Sequence, residues 1–218
     1  MKLLLTSNGL SNQSIANALF ELTGKTASET TIVFIPTAMN VARGDKSWFI
    51  NDLYNIKKQG FKFIDIVDIS ALPKEIWLPK LENGDVLFFS GGSNYHLMYW
   101  LQKSGLSELL PDLLKTRVYA GISAGSMVTN PSLVSISDDK KKYYEDNFGY
   151  KNETALNFVD FYLYPHFNSP KHLHYREENL KKVAEETKKT VYGLDDESAL
   201  KVVDGVVTVI SEGDCLKL

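Results

Sequence analysis

Ser123 stands in the run Gly121-Ile122-Ser123-Ala124-Gly125-Ser126, after a strand-like segment and before a helix-like one. This is the G-x-S-x-G spacing of a nucleophile elbow, a sharp strand-to-helix turn that aims the hydroxyl away from the backbone. The flanking glycines suit such a turn because a Cβ at either place would obstruct neighbouring chain. An isolated serine hydroxyl is too weakly acidic to attack a carbonyl at neutral pH. It needs a histidine to take its proton and a carboxylate to orient that histidine. The chain has four histidines, His96, His166, His172 and His174. His96 falls inside a helix-like run and reads as a surface or partly packed residue. His172 and His174 lie in a polar stretch and read as solvated. His166 follows an apolar strand and a proline, where a strand-end loop would meet the serine turn. It is therefore the candidate base, with a packed loop histidine as the plainer alternative. The acid stays open at this level. Asp195, Asp196 and Glu197 follow a short strand, and Asp138 and Asp139 follow the elbow helix. Most of these five must be ordinary solvated turn residues. An oxyanion hole needs backbone N–H groups, for which Ala124 and the diglycine Gly91-Gly92 are candidates. The alternative for the diglycine is a tight turn.

The elements that must hold these residues alternate between strands and helices. Residues 2–7, 30–36, 61–67, 84–90 and 117–122 read as strands. Residues 12–22, 45–59, 93–103 and 106–115 read as helices, with Gly60 as the stop of the second. This alternation predicts an α/β fold, a doubly wound and mostly parallel sheet with helices on both faces. The early strands are almost continuously apolar, as strands covered on both faces should be. Functional sites in such sheets lie beyond the carboxyl ends of the strands. The loops after Pro36, after Ser90 and at Ser123 all fall there. Further on, residues 132–150 are polar and charged and read as an irregular surface loop or short hairpin. Residues 156–164 read as a strand ending in Pro165-His166-Phe167, and residues 175–189 as a charged helix. Residues 190–195, 198–203 and 206–211 read as short strands, antiparallel at the C-terminus, with Asp204-Gly205 as a hairpin turn. No repeat or linker interrupts the chain, so one domain over residues 1–218 is expected.

Composition narrows the function. Of 218 residues, 44% are hydrophobic and 23% charged, and the net charge is −3. This is ordinary for a globular protein and offers no electrostatic attraction to nucleic acid or an anionic membrane. The single cysteine, Cys215, allows neither an intrachain disulfide nor a cysteine metal cluster. The first residues are too briefly apolar for a signal segment. A cytoplasmic protein is expected, with no metal or organic cofactor and no nucleic-acid or membrane partner. Neither monomer nor homodimer is favoured.

Taken together, these motifs resemble those of the peptidase E (aspartyl dipeptidase) and cyanophycinase family of serine peptidases. Phe88-Phe89-Ser90-Gly91-Gly92-Ser93-Asn94 resembles its strand ending in a Gly-Gly-x-Asn turn, and Gly121–Ser126 resembles its G-x-S-A-G motif. Pro165-His166-Phe167 resembles its strand-end Pro-His, Arg176-Glu177-Glu178 its R-E-x segment, and 193–200 its G-x-x-E-x-S/T-A-L stretch. The resemblance implies a class I glutamine amidotransferase-like fold, a flavodoxin-like three-layer sandwich. It also implies Ser123 as nucleophile, His166 as base, and Gly91 or Gly92 with Ala124 as oxyanion hole. The acid position, usually glutamate in the family, falls on Asp196 here, with Asp138 and then Glu197 as rivals. Arg176 would read a substrate carboxylate through its guanidinium fork, the alternative being an exposed charge at a helix start. The expected activity is serine-type hydrolysis of short peptides, including dipeptides with N-terminal Asp. The alternatives are an esterase or amidase with the same triad, and a binding module weakened by the Asp-for-Glu change.

Overall fold

The computed structural model describes every residue except 137, and every side chain except those of 137–140. In chain order the elements are β1 (Lys2–Thr6), α1 (Gln13–Thr23), β2 (Thr31–Ile35), α2 (Ser47–Lys57), β3 (Phe63–Ile66), α3 (Lys74–Asn83), β4 (Val86–Phe89), α4 (Asn94–Lys103), α5 (Leu106–Leu113) and β5 (Val118–Ile122). There follow α6 (Ala124–Met127), α7 (Asp138–Phe148), β6 (Tyr162–Tyr164), α8 (Glu177–Thr187), β7 (Val191–Leu194), β8 (Ser198–Val203), β9 (Val206–Ser211) and β10 (Cys215–Lys217).

Seven strands form the main sheet in the order β3-β2-β4-β5-β1-β8-β9. The first five are parallel, and β8 and β9 close one edge antiparallel. This is the α/β architecture expected from the alternation. Successive strand residues face opposite sides, and β1 feeds both cores. Leu3 and Leu5 join the side that holds Trp77 and Leu81 of α3, Leu97 and Leu101 of α4, and Leu106 and Leu110 of α5. Leu4 joins the other side with Ile15, Leu19 and Leu22 of α1 and Ile56 of α2. A second, three-stranded sheet in the order β10-β7-β6 packs on the first of these sides. No helix among the described residues is long and apolar enough to cross a membrane.

Local chemistry explains the element ends. The Asn12 side chain accepts from Ile15 N–H and starts α1, and Gly24 ends it in left-handed geometry at φ 67°. The Ser93 side chain accepts from His96 N–H at the start of α4. Asp45 accepts from Ser47 N–H just ahead of α2. Asp204 and Gly205 have φ 48° and 85°, which closes β8 onto β9 through a turn with two left-handed residues.

Four regions differ from expectation. The polar stretch 132–150 contains α7 rather than an irregular loop or hairpin. Its apolar content is a narrow aromatic stripe: Tyr144 and Phe148 lie one turn apart, and Tyr144 packs on Tyr95 at 6.0 Å. The guanidinium of Arg43 lies 3.3 Å from the Tyr143 ring centre. Of the expected strand 156–164, only Tyr162–Tyr164 pairs in a sheet. The N–H groups of Leu156, Asn157 and Phe158 bond instead to the carbonyls of Val128, Asn130 and Thr129, and Asn157 turns left-handed at φ 53°. The apolar run is therefore spent on a loop packed behind α6. Finally, α3 and β10 have no counterpart among the expected elements. Pro79 sits inside α3 and disguises it, although Trp77 and Leu81, one turn apart, are buried.

Candidate active site

The site begins with the crossing of β5 into α6. Ser123 takes φ 47° and ψ −104°, a strained conformation for a residue with a side chain. Neighbouring chain enforces it. The Ser123 N–H donates to the Thr6 carbonyl at 3.0 Å, and Ser126 Oγ donates to the same carbonyl at 2.8 Å. Thr6 Oγ1 donates to the Gly121 carbonyl at 2.8 Å. On the other side, Tyr119 Oη donates to the Gly125 carbonyl at 2.5 Å while its ring stacks on Phe89 at 4.6 Å. Both glycines of the motif are sterically required. A methyl group on Gly125 would run into the Phe89 carbonyl, and one on Gly121 would lie 2.6 Å from the Gly125 backbone.

His166 arrives from the end of β6, which is held parallel to β7 by the pair Tyr164 and Gly193. The chain turns left-handed at His166, φ 58°, and its N–H donates to Ser7 Oγ at 2.8 Å. The imidazole then lies between Ser123 and Asp196. Nε2 is 3.1 Å from Ser123 Oγ, and Nδ1 is 2.6 Å from Asp196 Oδ1. The hydrogen bond from His166 holds the Asp196 carboxyl below the usual carboxylate range, against the opposing effect of burial. The Ser7 hydroxyl, which donates to Oδ1 at 3.1 Å, and the imidazole of His172 act in the same direction.

The three consecutive carboxylates of the β7–β8 turn separate cleanly. Asp195 builds the turn, accepting from Glu197 N–H, Ser198 Oγ and Asp214 N–H. Asp196 faces His166. Glu197 points the other way and accepts from Asn12 Nδ2 at 3.0 Å, at the start of α1. The backbone of Asp138 lies in α7, but its side chain is outside the described residues.

Gly91 and Gly92 follow β4 on the near side of the elbow. A methyl group on Gly91 would sit 3.6 Å from Ser123 Cβ and 3.4 Å from the Trp48 ring. Gly92 has φ 133°, and a methyl there would meet the Ala38 carbonyl, so only glycine fits. Neither N–H donates to a backbone carbonyl among the described residues. The Ala124 N–H opens α6, where the first donors of a helix have no intrahelical acceptor. Arg176 immediately precedes α8. Its Nη2 donates to the Ser169 carbonyl at 3.0 Å, while Nη1 is buried without a hydrogen-bond partner.

Several residues of the site were not expected there. Ser7 is fully buried and joins the backbone of His166 to the carboxylate of Asp196. Its only sequence signal is the polar pair Thr6-Ser7 closing an apolar strand. His172, read as solvated, stacks on His166 with ring centres 4.4 Å apart and planes 17° apart. Apart from these residues, His96 of α4, read as a surface or partly packed residue, is buried. Its Nδ1 lies 2.6 Å from Tyr150 Oη, and burial pushes its basicity down. Among the described residues no group of His, Cys, Asp and Glu is arranged to hold a metal ion.

Asp52, on α2, is another unexpected neighbour. It is 4% exposed, and burial, reinforced by the charge of Asp196, raises its pKa to about 7. The native protein therefore holds a proton that the unfolded chain has released between pH 4 and 7. Stability should fall as pH rises through that window. The full effect is on the order of 4 kcal/mol, at about 1.4 kcal/mol per pKa unit. Asp52→Asn should accordingly be more stable than wild type above pH 7, with the gain vanishing below about pH 4. Urea unfolding of both proteins at pH 5 and pH 8 checks this, and an equal difference at the two pH values would refute it.

Known proteins resemble this chain in sequence and fold. A family model described as Peptidase family S51 matches residues 3–210. An uncharacterised peptidase of Pasteurella multocida (strain Pm70) is 30% identical over 63% of this chain, a match spanning 65% of that protein, just under two thirds of its length. Peptidase E of Streptomyces coelicolor is 29% identical over 93% of this chain and 81% of its own. Among solved structures, a peptidase E-type protein of Listeria monocytogenes EGD-e superposes with a TM-score of 0.79 at 22% identity. That match covers 97% of this chain and 98% of the other. A peptidase from an acI-B1 Actinobacterium gives a TM-score of 0.72 at 16% identity, covering 100% and 93%. Both likenesses extend over the whole doubly wound sheet and show a shared fold.

Proposed function

The chain belongs to peptidase family S51, and we propose that it is a serine peptidase with Ser123, His166 and Asp196 as its catalytic triad. The reading is carried by one observation: a continuous line of contacts, 3.1 Å from Ser123 Oγ to Nε2 and 2.6 Å from Nδ1 to Asp196. With the Nδ1 proton directed at Asp196, Nε2 is free to accept from the serine hydroxyl. Ser123 Oγ attacks the scissile carbonyl carbon as its proton moves to Nε2. The carbonyl oxygen takes up the negative charge, which the N–H groups of Ala124 and of Gly91 or Gly92 receive. Collapse of this intermediate breaks the C–N bond, and the departing amine takes the proton from Nε2. Water, giving its proton to the same nitrogen, then attacks the acyl-serine; the C–Oγ bond breaks as Nε2 returns that proton to Ser123 Oγ, and the acid leaves.

The substrates we propose are short peptides cut from the amino end, including dipeptides that begin with Asp. Arg176 supports this, since its buried Nη1 has no protein acceptor. A guanidinium bound at one nitrogen and lacking an acceptor at another has a donor left over for a carboxylate. Two measurements test the proposal. A fluorophosphonate should label Ser123, as read by mass spectrometry of the digested protein. Arg176→Ala should raise KM for Asp-Leu about 10-fold or more while changing that for Ala-Leu little. Labelling elsewhere than Ser123 would remove the nucleophile assignment, and an equal change for both dipeptides would remove the acidic preference.

A further inference from the structure

Asp52 and Trp48 lie one turn apart on α2, and so share a face. That face runs along the carboxyl ends of the central strands. Trp48 sits against Gly91, beside Ser123, and a methyl group on Gly9 would lie 3.6 Å from Asp52 Oδ1 and 3.1 Å from Ile122 Cδ1. Ile122 is the residue before the nucleophile. Asp52 is thus a nine-tenths buried carboxyl placed beside the elbow. Among the described residues it has no hydrogen-bond donor and no ion-pair partner. The charge set against it is another carboxylate, Asp196 of the β7–β8 turn, which is itself tied to His166 and Ser7. Burying a carboxyl without a partner is unfavourable, and a second carboxylate nearby makes it more so. The fold tolerates this at a position where a bound cation would relieve it.

We propose that Asp52, with the Trp48 ring beside it, receives the α-ammonium of the peptide substrate, so that a free amino terminus is a feature the enzyme reads. This rests on the assignment of Ser123 as nucleophile, since the amino group of an N-terminal residue lies two bonds from the carbonyl carbon under attack. It explains why a carboxyl with no internal partner stands on this helix face. It also divides the labour of recognition: Arg176 takes an acidic side chain and Asp52 the amine. Because Asp52 is held near half protonation at neutral pH, the ammonium must displace its proton to solvent. The ammonium and carboxylate then pair, and charge is conserved.

Calorimetry on Ser123→Ala protein, which binds without turnover, tests this with Asp-Leu and its N-acetyl form. Asp-Leu should bind roughly 10- to 100-fold tighter. Near pH 6 its binding should release a proton, seen as a heat that depends on the buffer's ionisation enthalpy. Adding Asp52→Asn should abolish both the preference and the proton release, while adding Asp52→Glu should keep part of each. Equal affinity for the two peptides overturns the proposal. So does no measurable binding at millimolar concentration, or a preference that survives Asp52→Asn. Fluorophosphonate labelling of Ser123 in wild type reports on the triad alone. A protein that labels without an amine preference keeps the triad and loses this inference, and one that fails to label loses the triad and, with it, the footing of this inference.

Discussion

Ser123→Ala is expected to lower peptide hydrolysis by about 10⁶-fold, and His166→Ala by a similar factor, with the double variant little worse than either. The expectation follows from the geometry. Ser123 Oγ has Nε2 of His166 at 3.1 Å as its partner, so each group is useless for covalent catalysis without the other. What survives is the residual rate from the oxyanion donors and substrate positioning, about 10³–10⁴ over water. Stability should hardly change in Ser123→Ala. Alanine keeps the Cβ that makes φ 47° strained, and the elbow is fixed by backbone and neighbouring groups, including Thr6, Ser126 and Tyr119. Steady-state kinetics on Asp-Leu, with urea unfolding as a control on folding, checks both halves. A Ser123→Ala protein with more than a few per cent of wild-type kcat/KM would rule out the proposed nucleophile, as would strictly multiplicative losses in the double variant.

The second large effect falls on Asp196. Asp196→Asn should reduce kcat about 10⁴-fold with little change in KM. An amide in place of Oδ1 would present a donor to Nδ1, favouring the tautomer that leaves a proton on Nε2, where the serine proton must go. Part of the orientation is independent of the carboxylate. The His166 backbone is anchored on Ser7, and its ring stacks on His172, so the loss should lie in proton transfer and not in binding. Glu197→Gln is the informative comparison. Its carboxylate is engaged with Asn12 at the start of α1, so it should behave like wild type in kcat. If Glu197→Gln loses as much as Asp196→Asn, the acid has been assigned to the wrong residue. The acid limb gives a further sign. The depressed Asp196 carboxyl contributes stability that is present above about pH 4 and lost as pH falls through its native pKa. This is opposite to the trend from Asp52. The side chain is 45% exposed, so the Asp196 contribution is softened by solvent.

Much of this molecule is written locally. The alternation of apolar strands with helical segments specified a parallel sheet, because a strand covered on both faces must be apolar at every position, as Leu3, Leu4 and Leu5 are. The G-x-S-x-G run specified the elbow, because both glycines meet backbone at close range and no other residue fits. Asp204-Gly205 specified its hairpin through the two left-handed positions it supplies. What misled was composition without contact. The aromatic stripe of α7 is thin enough to look like loop, Pro79 hides α3, and Leu156, Phe158, Val159 and Phe161 took buried or half-buried loop positions where strand pairing was expected.

The sequence by itself determined the elbow that carries Ser123, the Pro165-His166 end of an apolar run and the alternation that builds the sheet, since each depends on residues adjacent in the chain. Tertiary structure alone separated the directions of Asp195, Asp196 and Glu197. Their order in a turn is trivial, but their directions depend on Asp214, His166 and Asn12, which come from three other segments. It alone brought Ser7 to His166, because β1 lies next to β5 and β8 by strand order, and strand order leaves no mark on local pattern. It alone turned Trp48 and Asp52 from two residues of an amphipathic helix into a wall beside Ser123. The elbow announced in the sequence is a hydroxyl on a bend. Long-range packing sets His166, Asp196 and the Trp48–Asp52 face around it.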